Sequence, residues 1–388
     1  MKIILSILIV VLISTGMSYS QVNKENKWIG LFDSTYYTGY NKKKPFRNVW
    51  MMYSKSTNVL DFQPLSYGLD AVIAMYEATH NLKYLDDAVI FVNNVINSAK
   101  PLRNITYSKS SFSDNYATWV VTDSSKQYAS LNMKETSLSE AYFFQYVTHL
   151  LYIIKNTQSL IQLKSYRDFY TTTLAFTEKN IWEKWYSRGY KLGGKTIFEG
   201  RTHMESHWAY MACILSKITT DSGKKAEYID AYTTYNALLK SNFKTRSDMP
   251  GVYIWNSTWD SKTSRDQTFV QDVSHGNLVV SYIVEAHDLS VFWTTTDINN
   301  LCNLVKKYLW INNKFTFKDN LDGSTKLQTT SRGGFQSDGW VKLGRYDRTL
   351  QSIYEKYVAY NSTNYYVTDG QLFANLALNE QLLQQKRR

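Results

Sequence analysis

The stretch Glu199-Gly-Arg-Thr-His-Met-Glu-Ser-His-Trp-Ala-Tyr-Met-Ala-Cys-Ile-Leu-Ser216 joins a polar cluster to a run that is apolar on every side. Such a helix has to be enclosed by other elements, so its apolar part, Ala209 to Ile214, reads as an inner helix. The same grammar recurs along the chain. Ser66-Tyr67-Gly68-Leu69-Asp70 opens a helix running through Tyr76-Glu77-Ala78, a turn follows at His80-Asn81, and a more amphipathic helix spans Lys83 to Asn97. Further openings lie at Ser137-Leu138-Ser139-Glu140 and Ser274-His275-Gly276-Asn277, spaced with the others by 73, 67 and 68 residues. A fifth pair is expected over Arg348 to Tyr360 and Asp369 to Gln385. Repetition near this length predicts helical hairpins with long connections. The expected fold is all-α, an (α/α) toroid or barrel of five to seven hairpins with long loops on one rim. The loops are 100–136, 186–205, 241–273 and 311–347, with short strands predicted at Val252–Trp255 and Lys314–Phe317.

Composition agrees with a large core. The chain has 388 residues, 44% of them hydrophobic, and few breakers (17 Gly, 4 Pro), which excludes disordered and collagen-like classes. Its net charge is +11, and 31 Tyr, 17 Phe and 11 Trp make it 15% aromatic. Residues 1–20 read as a cleavable signal peptide, with Lys2 before an apolar run from Ile3 to Ile13 that is shorter than the roughly 20 residues a membrane span needs. The expectation is therefore a secreted protein, a single domain over 21–388, without membrane insertion and monomeric. Cys213 and Cys302 make no disulfide framework, although one bridge between them is open.

Three clusters could carry chemistry. His203 and His207 are four apart and would share a helix face, with Arg201 upstream and Tyr210 downstream. Gln271-Asp-Val-Ser-His-Gly-Asn277 brings His275 and Asn277 to an equivalent helix start. The loop Ser331 to Arg348 supplies Lys342, Arg345 and Tyr346 among glycines. Gln63 and Tyr67 meet another inner helix start, and Tyr116 and Trp119 are groove candidates from loop 100–136. A zinc helix would place Glu directly after the first His, whereas Glu205 comes second, so no metal or other cofactor is expected. The basic residues are scattered and no recognition motif appears, so nucleic acid is not the expected partner. Aromatic faces with Arg and Lys suit an anionic polysaccharide.

The hairpin pattern, with clusters around His207 and His275, resembles the (α/α)-toroid polysaccharide lyases and is most similar to polysaccharide lyase family 38. That resemblance implies β-elimination on alginate or glucuronan. His207 or His203 would be the base, and Tyr210 or Tyr346 the acid. Asn277 with His275 would neutralise the carboxylate, and Arg201, Arg345 and Lys342 would grip substrate. Gln63, Tyr67, Tyr116 and Trp119 would line subsites. Two other readings stay open. One is a glycoside hydrolase drawing a carboxylate pair from Glu205, Asp272, Asp70, Asp338 and Asp369; the other is a binding protein without turnover.

Overall fold

Helices whose sequence leaves no polar face sit innermost, as their patterning requires. A computed structural model describes residues 26–41, 43–191, 197, 200–258, 269–325, 334–360 and 365–386. The signal peptide read over 1–20, and Ser331 to Gly333 of the third cluster, lie outside the described residues. In chain order the helices are α1 (Lys27–Asp33), α2 (Phe46–Ser54), α3 (Phe62–Thr79), α4 (Leu82–Ser98), α5 (Ser137–Asn156) and the short α6 (Gln158–Ile161). Next come α7 (Lys164–Phe176), α8 (Lys184–Lys191), α9 (Thr202–Ile218), α10 (Ser222–Asn242) and α11 (Val273–Asp288). The chain ends with α12 (Thr295–Leu304), α13 (Asp338–Lys342), α14 (Arg348–Tyr360) and α15 (Asp369–Gln385).

Six of these close a ring: α3 packs on α5, α5 on α9, α9 on α11, α11 on α13, α13 on α15, and α15 returns to α3. The outer layer is α4 against α3, α7 against α5, α10 against α9, α14 against the α13–α15 side, and α1 against α15. The all-α toroid expected from the repeats is the observed fold. Caps fix where the hairpins turn. Asn81 opens α4 by accepting the Lys83 N–H at 3.1 Å, Asp221 opens α10, and Asp272 opens α11. His80 ends α3 in the left-handed conformation, with φ 54°.

The apolar faces meet in a continuous core. Leu69, Phe143, Met211 and Ile283, one from each of four neighbouring inner helices, are fully buried. A buried side chain of this size contributes about 1.5–3 kcal/mol. Charge also ties the layers together: Lys184 of α8 meets Glu140 of α5 at 2.7 Å, both side chains fully buried, and donates to the Thr118 hydroxyl at 3.1 Å. The predicted strands occur within short hairpins, Lys244–Arg246 with Met249–Ile254 and Trp310–Ile311 with Thr316–Phe317. Cys213 and Cys302 are both buried free thiols.

Two expectations are corrected. The segment 311–347 is not loop throughout, because α13 inside it supplies an inner element. The final pair is also reversed, with α14 outside and α15 inside, since α1 at the other end of the chain covers α15. Glycine makes the α13 position possible. A Cβ on Gly339 would lie 1.7 Å from the Asn277 carbonyl oxygen, so α13 and α11 meet backbone to backbone there. Gly68 plays a similar part between α3 and α2, where a Cβ would fall 2.4 Å from the Trp50 ring. Gly68→Ala is expected to destabilise the protein by about 1–3 kcal/mol, read as a lower urea midpoint with an unchanged slope.

Candidate functional site

All six inner helices start at one rim, and the polar clusters of the sequence gather there in part. Asp272, the N-cap of α11, accepts the His275 backbone N–H at 2.9 Å and the His275 Nδ1–H at 2.7 Å. Gln271 donates to the same carboxylate at 3.2 Å, and its amide oxygen accepts the Thr202 hydroxyl at 2.8 Å, linking the starts of α9 and α11. Burial alone would raise the Asp272 carboxyl. The His275 hydrogen bond and charge, with the backbone N–H groups, outweigh it and hold the group below the usual aspartate range. Asp272 is therefore ionised, and the His275 side chain beside it is 35% exposed.

The α9 histidines stand behind this pair. The His203 ring lies tilted against His275 with centroids 4.3 Å apart, and the His207 ring lies 4.2 Å from Tyr142. The Gln145 amide nitrogen is turned toward the Tyr142 carbonyl, so its oxygen faces His207 and accepts from Nδ1–H at 2.9 Å. That leaves His207 Nε2 an unprotonated acceptor, and both it and His203 Nδ1 are buried without a hydrogen-bond partner among the described residues. Burial lowers His207 to about 3; burial, then the charges of His275, His207 and Arg201, hold His203 well below the usual histidine range. Both imidazoles are neutral near pH 7. Their unfolded counterparts take up protons below about pH 6.5, so stability falls with acidification through that point by up to about 1.4 kcal/mol per pH unit for each ring. Replacing His207 with Gln is expected to flatten this slope in urea titrations between pH 6.5 and 4.

The remaining predicted residues spread over three depths. Gln63 is exposed and Tyr67 half-buried at the start of α3, on the rim, as is the exposed Arg201 at the start of α9. Asn277 is fully buried, and its oxygen accepts the Ser337 N–H at 2.8 Å, so it fastens α13 to α11 instead of facing the opening. One layer down, Lys342 plugs the toroid axis. It donates to Asp70 and to Ser281, each at 3.3 Å, and stands 3.8 Å from Asp338, while Asp70 also accepts from Gln371 and Asn375 at 2.9 Å each. Burial lowers the Lys342 amine, yet Asp70 and Asp338 outweigh it and raise it above the usual lysine value.

Tyr210 lies deeper still, fully buried and donating to Glu285 at 2.9 Å. Arg345 and Tyr346 sit at the opposite end of the ring, paired with Asp288. Tyr116 is tied to Glu183 in the outer layer, and Trp119 is core, donating to Ser98 at 2.8 Å under Phe62. The expectation that Asn277, Tyr210, Tyr346, Arg345 and Lys342 join the histidines in one groove is thus corrected: helix length carries them away from the rim. Gln145 and Tyr142 belong to the site and were not singled out in the sequence, although a Gln inside an apolar inner helix was the available signal.

The carboxylates sort as clearly. Asp70 and Asp338 are sealed around Lys342. Glu205 is buried and faces Tyr235 of α10, and Asp369 caps the turn before α15, accepting from the Tyr366 N–H. Of the five candidates, Asp272 beside the half-exposed His275 and the half-buried Asp369 at the start of α15 meet the rim. Among the described residues no group of three or more His, Cys, Asp or Glu is arranged to hold a metal ion. No helix of the described residues is long and apolar enough to cross a membrane.

No known protein family matches the sequence, and no curated protein does either. The fold does have solved counterparts. The GH76A α-1,6-mannanase of Salegentibacter sp. HEL1_6 matches with a TM-score of 0.50 at 11% identity, covering 92% of this chain and 99% of that one. An inactive variant of it, with two adjacent aspartates replaced by alanine and α-1,6-mannotetraose bound, matches with a TM-score of 0.50 at 10% identity, with the same coverage. These toroids are glycoside hydrolases that act on or bind a neutral mannan, which corrects the resemblance to polysaccharide lyase family 38. With it go the lyase activity, the alginate or glucuronan substrate and the elimination roles given to the histidines and tyrosines. What the chain shares with the mannanase is the (α/α) toroid.

Proposed function

We propose that this chain is an (α/α)-toroid glycoside hydrolase that takes a neutral polysaccharide across the helix-start rim, with Asp272 as its carboxylate. The carrying observation is the ionised Asp272 bonded to His275 at the opening, with neutral His203 and His207 behind it. Hydrolysis adds water to the anomeric carbon as the glycosidic C–O bond breaks; a held carboxylate can take the proton from that water, and the departing glycosidic oxygen takes up a proton from solvent. The exposed part of His275 suits sugar hydroxyls, which both donate and accept, and the half-buried Tyr67 supplies a face for a sugar ring. Gln63 and Arg201 extend the rim on either side. The leader read in the sequence fits an exported, single-domain, monomeric enzyme of this kind.

One observation favours a second reading, binding without turnover. The mannanase is inactive when two adjacent aspartates are replaced. The one adjacent pair in this sequence, Asp86–Asp87, lies on α4 in the outer layer. There Asp86 accepts from Tyr166 at 2.6 Å, and Asp87 holds Arg47 at 2.7 Å and Tyr36 at 2.8 Å. Both readings are tested by incubating the chain with α-1,6-mannan and other neutral polysaccharides, measuring reducing ends and affinity together. New reducing ends support hydrolysis; saturable binding without them supports the second reading, and neither result on any polymer contradicts both.

A further inference from the structure

The short hairpin of Trp310–Ile311 with Thr316–Phe317 is anchored on one side and open on the other. On the anchored side Phe317 stacks on Tyr354 of α14 with ring centres 5.6 Å apart, and Trp310 lies 5.0 Å from Phe317. At the tip, Phe315 stacks on Tyr360, the last residue of α14, with centres 5.1 Å apart and planes at 30°. Trp310 meets Phe315 edge to face at 6.3 Å and completes the row. Packing beneath does not require this arrangement, because Tyr360 remains 62% exposed. Phe315 sits at φ 48°, in the left-handed region that a bulky side chain rarely adopts. Single exposed rings are ordinary on a protein surface. A stacked pair presented by a strained backbone is the mark of a surface shaped for a ligand.

The ligand follows from where this segment leads. Beyond Phe317 the chain lies beside the first turn of α11: the Val273 N–H donates to the Asp319 carbonyl at 2.8 Å, and the Leu321 N–H donates to the Gln271 carbonyl at 3.1 Å. Between these bonds Asn320 faces Asp272 across an antiparallel bridge. Phe315 precedes Asn320 by five residues, so their Cα atoms are at most about 18 Å apart. A polysaccharide lying over Asp272 and running outward along this segment therefore reaches Phe315 and Tyr360 within a few sugar units. The chemistry agrees. A sugar ring lays its apolar face on an aromatic ring, and Asn312 and Asn313, both exposed at the tip, offer amides to hydroxyls that donate and accept.

We propose that Phe315 and Tyr360 form an outlying platform for the same neutral polysaccharide, with a sugar ring on the open face of Tyr360. The platform presupposes the polysaccharide reading of the rim and adds to it. Affinity electrophoresis of the full chain, in gels cast with α-1,6-mannan and other neutral polysaccharides, reads polymer binding whether or not the polymer is cut. Tyr360→Ala is expected to weaken binding about 3- to 10-fold, the worth of one ring contact. Tyr360→Phe keeps the ring and is expected to stay within about twofold of the wild type. Phe292→Ala removes a comparably exposed ring just past the far end of α11, away from the rim, and is expected to change nothing. Thermal melts at the wild-type midpoint establish that each variant is folded. Equal affinity in the wild type and Tyr360→Ala, or an equal loss in Phe292→Ala, overturns the platform and leaves the rim reading standing. A wild type retarded by no neutral polysaccharide overturns both.

Discussion

Asp272→Asn is expected to lower polysaccharide turnover by about 10²–10⁴-fold, the range for removing a positioned proton acceptor. The substitution is close to isosteric. Asn remains a good N-cap, so its oxygen can still accept the His275 backbone N–H and α11 should start where it does now. What disappears is the negative charge beside the His275 ring, and with it the group able to receive a proton from water. The effect should fall on kcat, with KM changed by less than about threefold, because the rim residues Gln63, Tyr67 and Arg201 are untouched. The acid side of the pH–rate profile should vanish in the variant, since it reports ionisation of Asp272. A purely structural Asp272 would instead lower the melting point and leave the surviving kcat with its original profile.

Lys342→Met is expected to cost about 3–5 kcal/mol of stability, the penalty for stripping the partner from buried charges. Asp70 and Asp338 would then share one closed space without a cation, although Gln371, Asn375 and Tyr146 still donate to them. The sign of the pH dependence is distinctive. Burial, and then the Asp70 charge, push the Asp338 carboxyl up against the opposing pull of Lys342, so it takes up a proton more readily than an ordinary aspartate on acidification. Once neutral it no longer repels Asp70. The stability gap between wild type and variant should therefore narrow as pH falls, and urea midpoints at neutral and mildly acid pH measure it. A gap independent of pH would mean that Lys342 acts through packing alone.

How far each element could be read before the fold was known depended on its length. Inner helices α9 and α11 announce themselves because Ala209–Ile214 and Leu278–Val284 leave no polar face, and Asn81, Asp221 and Asp272 mark helix starts through their side-chain oxygens. Helix α13 was hidden, because five residues are too few to show a period and Gly339 disguises them as loop. The order of the last pair was hidden for another reason. Whether α14 or α15 faces inward is decided by α1, more than three hundred residues away in sequence, whose contact no local pattern reports.

The site divided along the same line. His203 with His207, and His275 in the cluster from Gln271 to Asn277, were visible because polar residues gather where a loop feeds an apolar inner helix. Depth was not visible. Tyr210 is three residues beyond His207 yet points to Glu285 in a lower layer, and Arg345 is three beyond Lys342 yet reaches the far mouth. The reaction class was not legible from these residues either, since imidazoles beside tyrosines serve elimination and hydrolysis alike. The corrected reading turns on electrostatics that emerge only on folding. Burial leaves His203 and His207 neutral, so neither imidazole is a cation for an anionic polymer.

The most direct test of hydrolysis at the rim is digestion of a neutral polysaccharide such as α-1,6-mannan in heavy-oxygen water, followed by mass spectrometry of the products. One heavy oxygen at each new reducing end, with no ultraviolet absorbance from a C4=C5 double bond and with loss of product in Asp272→Asn, is the predicted result. Products without heavy oxygen, or cleavage that survives intact in Asp272→Asn, would contradict it.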